Sequence, residues 1–356
     1  MESLEQSLQK AVQHHQAGRL SEAEALYRQV LQLEPNQPVA LNLLGVVALQ
    51  VGNAEAAIEL MSKSVHIQPD YADAHNNLGQ AFQTSGKVED ARASFEKAVT
   101  LKPDYAEAHA NLGNALQAQG FFDQAAQSYL KALEINPDYL KAHSNLGLAY
   151  KELERLEEAE ASFRTALSLN PEFPEALNNL GNLLKDRGDL QEAEGLFTKA
   201  LGVDPQYAEA HNNLGLVLHS QGRMPEALEK FQKAVDLNPT YVEALNNLGN
   251  GLHTVGQVNE AVACYNRTLE IEPENAETFN YLGNACKELG KMEDSISAYQ
   301  EALRLRPDFD SPTVNLLHQL RHAGLWPEVE VLQGRVDELT ERRLCDGKSI
   351  AMRPFD

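Results

Sequence analysis

A formal charge of −22 on 356 residues, with a pI near 4.9, argues against nucleic acid as a partner, because an acidic surface repels phosphate backbones. The composition, 43% hydrophobic and 23% charged, is that of a folded soluble chain, and no apolar run approaches the roughly 18–20 residues that cross a bilayer. The opening MESLEQSLQKAVQHH has no apolar signal-peptide core, and Cys264, Cys286 and Cys345 are too scattered for a disulfide framework, so the expected setting is a reducing cytoplasm.

The elements read in chain order as helices in pairs. Residues 1–37 form a capping unit in which Lys10–Ala11 stand where later units have Leu–Gly, and His14 stands where an apolar residue is usual. Eight regular units follow over 38–309, all cut to one ruler. Prolines fall at Pro35, Pro69, Pro103, Pro137, Pro171, Pro205, Pro239, Pro273 and Pro307, every interval being 34. A glycine series, Gly45 to Gly283, keeps the same interval, and so does a second from Gly18 to Gly324, which only Glu154 interrupts. The absence of insertions implies that every unit makes the same contact with its neighbour. Residues 310–345 read as a partial closing unit, with Leu316–Leu317 in place of Leu–Gly and an apolar face at Val329, Leu332, Val336 and Leu339. Residues 346–356 read as a tail or linker.

Within a unit, helix A carries Asn–Leu–Gly, a turn holds the second glycine, and helix B carries a small–aromatic–small pattern such as Ala193, Phe197, Ala200. Glycine inside a helix costs about 0.5–1 kcal/mol against alanine, so close helix approach at the first series is expected as the offset. Advancing about 100° per residue along the helix around Gly181, Ala176, Leu177, Leu180, Leu183 and Leu184 gather on one side. Glu175, Asn178, Asn179, Asn182 and Lys185 gather on the other, and both asparagines are expected there, away from the core.

The asparagine beside Leu–Gly recurs at Asn77, Asn111, Asn145, Asn179, Asn213 and Asn247, is replaced by Tyr281, and returns at Asn315; Leu43 takes its place in the first regular unit. Stacked helices lie about 8–10 Å apart and an extended peptide advances about 3.3 Å per residue. One carboxamide would therefore meet such a peptide at about every third residue. A net hydrogen bond contributes about 0.5–1.5 kcal/mol against about 1–2 kcal/mol for ordering a residue. Weak binding, tolerant of sequence, is the expected outcome.

Period, glycines, alanines, aromatics and proline together resemble the tetratricopeptide repeat from Gly18 to Gly324. The resemblance implies an all-α right-handed superhelical solenoid of about nine repeats plus a partial one, with a concave groove lined by A helices and capped ends. The regular asparagines also resemble the repeat region of O-linked N-acetylglucosamine transferase, where such a ladder grips acceptor polypeptide backbones. The exit segment NLLHQLRHAGLWPEVEVLQGRV, with Trp326, is similar to the truncated repeat that leads into that family's glycosyltransferase domain, and AMRPFD looks like the start of the junction. The resemblance carries no catalytic residue onto this chain.

Other signals point elsewhere. His75, His109, His143 and His211 occur once per unit on the core side, where packing outweighs metal ligation, since zinc needs ligands at about 2 Å. His14–His15 read as surface residues. Gly347-Lys348-Ser349 lacks the remaining glycine of a phosphate loop, and Asn266-Arg267-Thr268 is a glycosylation sequon in spelling only. The chain is expected to have no catalytic role, no cofactor and no metal, and to bind polypeptide rather than nucleic acid or membrane. The alternative is a general scaffold for assembling complexes, with self-association into a homo-oligomer left open. A carboxylate clamp is disfavoured, because the groove positions read Asp73, Asn76, Asn77 and Gln80 rather than paired cations.

Overall fold

Prolines two residues beyond the B helices of the regular repeats, and glycines just beyond all but one A helix, punctuate the chain into short helices. The computed structural model describes residues 4–345. The tail 346–356, with its Gly-Lys-Ser triplet and AMRPFD, and the side chain of Leu339 lie outside the described residues.

The chain forms two compact units, residues 1–183 and 184–356. The first holds α1 (Leu4–Gln16), α2 (Leu20–Leu33), α3 (Pro38–Gln50), α4 (Ala54–Ile67) and α5 (Ala72–Thr84). It continues with α6 (Val88–Leu101), α7 (Ala106–Ala118), α8 (Phe122–Ile135), α9 (Leu140–Glu152) and α10 (Leu156–Leu169). Helix α11 (Pro174–Arg187) carries the boundary. The second unit holds α12 (Leu190–Val203), α13 (Ala208–Ser220), α14 (Met224–Leu237), α15 (Val242–Thr254) and α16 (Val258–Ile271). It ends with α17 (Ala276–Glu288), α18 (Met292–Leu305), α19 (Asp310–His322) and α20 (Trp326–Cys345). The described residues form no strand. Odd-numbered helices are the A helices and even-numbered ones the B helices. Within each unit A packs on its own B and B on the next A, and A helices also touch the next A helix, as α3 touches α5 and α13 touches α15.

The first glycine series is explained by its B-helix partner. A Cβ on Gly79, Gly113 or Gly147 would sit 2.5, 2.5 or 2.6 Å from a ring carbon of Phe95, Tyr129 or Phe163. In the second unit the same holds for Gly215, Gly249 and Gly283 against Phe231, Tyr265 and Tyr299, at 2.6, 2.6 and 2.5 Å. The rings are fully or almost fully buried and are flanked by buried small residues, as Phe197 is by Ala193 and Ala200. The expected close approach is therefore present, and it is made by an aromatic ring on a missing side chain.

The second series needs the left-handed region rather than space. Gly86 has φ +74 and closes α5 with a pair of bonds, Lys87 N–H to Phe82 O at 2.9 Å and Gly86 N–H to Gln83 O at 3.1 Å, the double bond of a Schellman motif. Glu154 makes the same pair of bonds at the end of α9 with φ +58. That backbone costs a residue bearing a Cβ roughly 1–2 kcal/mol, partly offset by the extra freedom of glycine in the unfolded chain, about 0.4–1 kcal/mol. Glu154→Gly is expected to raise the stability of this repeat by about 0.5–1 kcal/mol, read as slower amide exchange in α9 and α10. Unchanged or faster exchange would show that Glu154 earns its place by a contact.

Apolar clusters lie at both described ends. Val329 and Leu332 of α20 join Tyr299, Leu303, Leu316 and Leu320 in one cluster, and Val336 is buried. At the other end Ala11, Ala23 and Tyr27 pack with Leu44 and Val47. His15 departs from its surface reading, since its ring bridges the Tyr27 hydroxyl at 3.4 Å and Gln50 Oε1 at 3.0 Å. Its neighbour His14, half-buried, accepts from Arg19 Nε at 2.9 Å.

Candidate functional site

The A–A seam is polar, and its chemistry begins with the asparagine pair. The first residue of the pair is not on the open face. Asn42, Asn76, Asn178 and Asn212 are 1%, 0%, 4% and 0% exposed, which corrects the expectation that both carboxamides point away from the packed side. A helical wheel separates the helix's own B partner from the rest but does not show the next repeat, which supplies the partners of Asn42, Asn76 and Asn212.

Asn42, Asn76 and Asn212 are satisfied across the seam. Asn76 donates to Glu107 Oε1 at 3.3 Å and to the Tyr105 hydroxyl at 3.4 Å. In the second unit Asn212 donates to Glu243 Oε1 at 3.1 Å and to the Tyr241 hydroxyl at 3.5 Å. Glu107 also accepts from Gln80 at 2.9 Å. The acidic residue at the head of helix A is thus tied into the seam as well as placed at the positive end of the helix dipole. Burial first, and Glu107 next, push the Tyr105 phenol up; burial and Glu243 do the same for Tyr241, so both stay protonated. The aromatics after the repeat prolines are accordingly seam residues.

The second residue of the pair is the one named above as a binding candidate, and six of the seven have the same first commitment. Each uses an Nδ2–H on the preceding A helix. Asn77 donates to Asn42 at 3.2 Å, Asn111 to Asn76 at 3.0 Å, Asn145 to Asn114 at 2.8 Å and Asn179 to Ser144 at 3.4 Å. In the second unit Asn247 donates to Asn212 at 2.9 Å and Asn315 to Asn284 at 3.0 Å. Asn213 is the most buried at 7% exposed, whereas the others are half-buried. Lys287 Nζ lies 3.3 Å from Asn315 Oδ1, so the last carboxamide is partly engaged at both ends.

The anchoring acceptors were not legible as such in the sequence. Two of them, Asn114 and Asn284, are themselves held by the B-helix hydroxyls of Tyr129 and Tyr299, each at 2.8 Å, and Tyr265 holds Asn250 in the same way. The signal was present but faint: each tyrosine follows its asparagine by fifteen residues. Tyr281, which interrupts the asparagines, lies tilted over Tyr265 with ring centroids 5.8 Å apart.

The core-side histidines are held locally. His75, His109, His143 and His211 each place Nε2 on the carbonyl of the proline six residues earlier, at 3.0, 3.0, 2.8 and 3.1 Å. A carbonyl only accepts, so Nε2 carries the proton. Burial holds His75 and His211 below the ordinary imidazole value, as neutral loop clasps.

The open face is uneven. Asn114, Gln117 and Ala118 of α7, Phe122 and Tyr129 of α8, and Asn145 and Glu152 of α9 line an open depression of about 460 Å³. It has room for a polypeptide side chain beside the Asn145 carboxamide, and Glu152 is its one carboxylate.

Helical pairs repeating every 34 residues, six of them with a glycine-on-ring contact, are matched by four tetratricopeptide-repeat models. They cover residues 14–81, 84–120, 118–154, 144–202, 178–242 and 240–308. The chain belongs to the tetratricopeptide repeat family. Among solved structures, that of the APC/C hetero-tetramer Cut9-Hcn1 is similar with TM-score 0.61 at 20% identity, over 80% of this chain and 56% of that one. The structure of pilF from Pseudomonas aeruginosa is similar with TM-score 0.55 at 22% identity, over 61% of this chain and 97% of that one. Both likenesses concern the fold. No curated protein matches the sequence.

This tetratricopeptide-repeat protein is thus all-α and built as a scaffold for protein–protein interaction. No described helix is long and apolar enough to cross a membrane.

Proposed function

We propose that the A-helix face binds extended polypeptide through the asparagines beside Leu–Gly. One observation carries the reading: in Asn77, Asn111, Asn145, Asn179 and Asn247 one Nδ2–H is spent on the preceding repeat, while no described donor of the protein reaches Oδ1. Each such carboxamide keeps one N–H and one acceptor oxygen, the complement of a peptide unit. The bond to the neighbouring repeat fixes the amide plane beforehand, so part of its ordering entropy is lost on folding rather than on binding. Asn213 and Asn315 belong to the same series, with the first more buried and the second shared with Lys287.

The test uses a pool of extended mixed-sequence peptides and fluorescence anisotropy. Asn77→Ala, Asn111→Ala and Asn145→Ala combined should weaken capture at least about tenfold, three lost rungs at about 0.5–1.5 kcal/mol each, with helicity retained. Undiminished capture by a folded triple variant would reduce these residues to elements of the repeat seam.

The reading extends to recruitment of acceptor polypeptides for an O-linked N-acetylglucosamine transferase-like activity. Its support is the asparagine series together with the exit segment around Trp326, which is 61% exposed at the start of α20. The check is whether the reading frame runs past Asp356 into a nucleotide-sugar transferase domain. A stop there, with no such gene beside it, leaves the general assembly scaffold.

A further inference from the structure

The last turn of α19 departs from every other A helix in carrying two histidines one turn apart. His318 and His322 are both exposed, their ring centroids are 4.4 Å apart and their Nε2 atoms 3.2 Å apart. Two uncharged nitrogens at that distance cannot both carry a proton; something electrophilic has to lie between them, either one shared proton or a metal cation. Metal–imidazole bonds of about 2.0–2.1 Å at a tetrahedral angle put two ligand nitrogens about 3.3 Å apart. The pair already has that bite, without a change of rotamer.

We infer that His318 and His322 form a two-imidazole chelate for a borderline first-row dication such as Zn2+, Ni2+ or Cu2+. Imidazole suits these ions, and neutral nitrogen is the ligating form. The two nearby cations are each engaged: Lys287 Nζ faces Asn315 Oδ1 at 3.3 Å and Arg321 donates to Gln333 at 3.0 Å. No group of three or more potential ligands occurs among the described residues, so the remaining coordination positions belong to water or to an incoming ligand. Such a site is exchangeable rather than structural, since structural zinc sites are closed by four protein ligands. The other histidines differ: the four core-side rings spend Nε2 on proline carbonyls, and His66 stands without a second histidine one turn away.

The experiment is a calorimetric titration of the full, EDTA-stripped chain with Ni2+ at pH 7.5. Wild type should bind one equivalent at least tenfold more tightly than either His318→Gln or His322→Gln, and the two variants should fall to the same residual affinity. His66→Gln should behave as wild type. Both substituted positions are exposed, and far-ultraviolet circular dichroism checks that the variants are folded. Wild-type affinity in either chelate variant, losses that simply halve the stoichiometry, or an equal loss in His66→Gln would overturn the chelate and leave a proton shared between the rings.

Discussion

Gly215→Ala is expected to destabilise the second unit by about 1–2 kcal/mol, although alanine is the better helix former. The new methyl would lie 2.6 Å from a ring carbon of Phe231, which is 2% exposed and held between Ala227 and Ala234, both fully buried. Overpacking a tight site costs about 1–3 kcal/mol, against a propensity gain of about 1 kcal/mol or less. Gly45→Ala supplies the control. There the methyl meets Met61 Cγ at 2.8 Å and Cε at 3.1 Å and the Ala57 carbonyl oxygen at 3.3 Å; the closest two contacts are to an unbranched thioether with three torsions, which can repack. Its loss should be about 1 kcal/mol or less. Because repeat arrays unfold by neighbouring units rather than as one block, the readout is amide exchange in α13 and α14 against α3 and α4. Equal losses in the two variants would mean that the ring contact is not what requires glycine.

Asn212→Ala carries the second large effect. Asn212 is fully buried, accepts from Asn247 at 2.9 Å and donates to Glu243 at 3.1 Å. Truncation removes a charge-assisted bond and leaves the Asn247 amide short of its anchor, a loss of about 1–3 kcal/mol. Asn247→Ala, by contrast, removes a half-buried group that water replaces, and should cost about 0.5–1.5 kcal/mol. The double variant should show coupling of about 0.5–1 kcal/mol between the two, as for residues within one bonded network. Polypeptide capture adds a second readout: Asn212→Ala should weaken it although Asn212 lies beneath the open face, because Asn247 is then free to rotate. A larger stability loss for Asn247 than for Asn212 would reverse the assignment of which carboxamide is structural.

These two cases mark what could be read from the chain. The period of 34 followed from spacing alone, and with it the helix pairs, because proline and left-handed glycine act on the backbone locally and recur where the backbone must turn. Glu154 could be singled out as the exception for the same reason, and its φ of +58 agrees. The need for a close approach at Gly215 was also legible, since an unfavourable helix residue repeated on schedule implies an offsetting contact. The exit helix could be placed by Val329, Leu332 and Val336, an apolar face of ordinary helical spacing.

The asparagines divide differently. The sequence by itself determined that carboxamides recur on one A-helix face, and so where a binding face would be sought. Only the tertiary structure decided that Asn42, Asn76, Asn178 and Asn212 are buried while Asn77, Asn179 and Asn247 stay half-open, with Asn246 half-buried and Asn213 buried against that trend. A helical wheel describes one helix against one core, whereas an A helix such as α5 or α15 has its own B helix and two neighbouring A helices around it. Which amide hydrogen is spent, and which oxygen is left, depends on a partner 31 or 35 residues away, as with Asn145 on Asn114 and Asn111 on Asn76. The same limit applied to His318 and His322: their spacing is local, but their exposure and the 3.2 Å between their nitrogens follow from how α19 packs and which rotamers that packing leaves open.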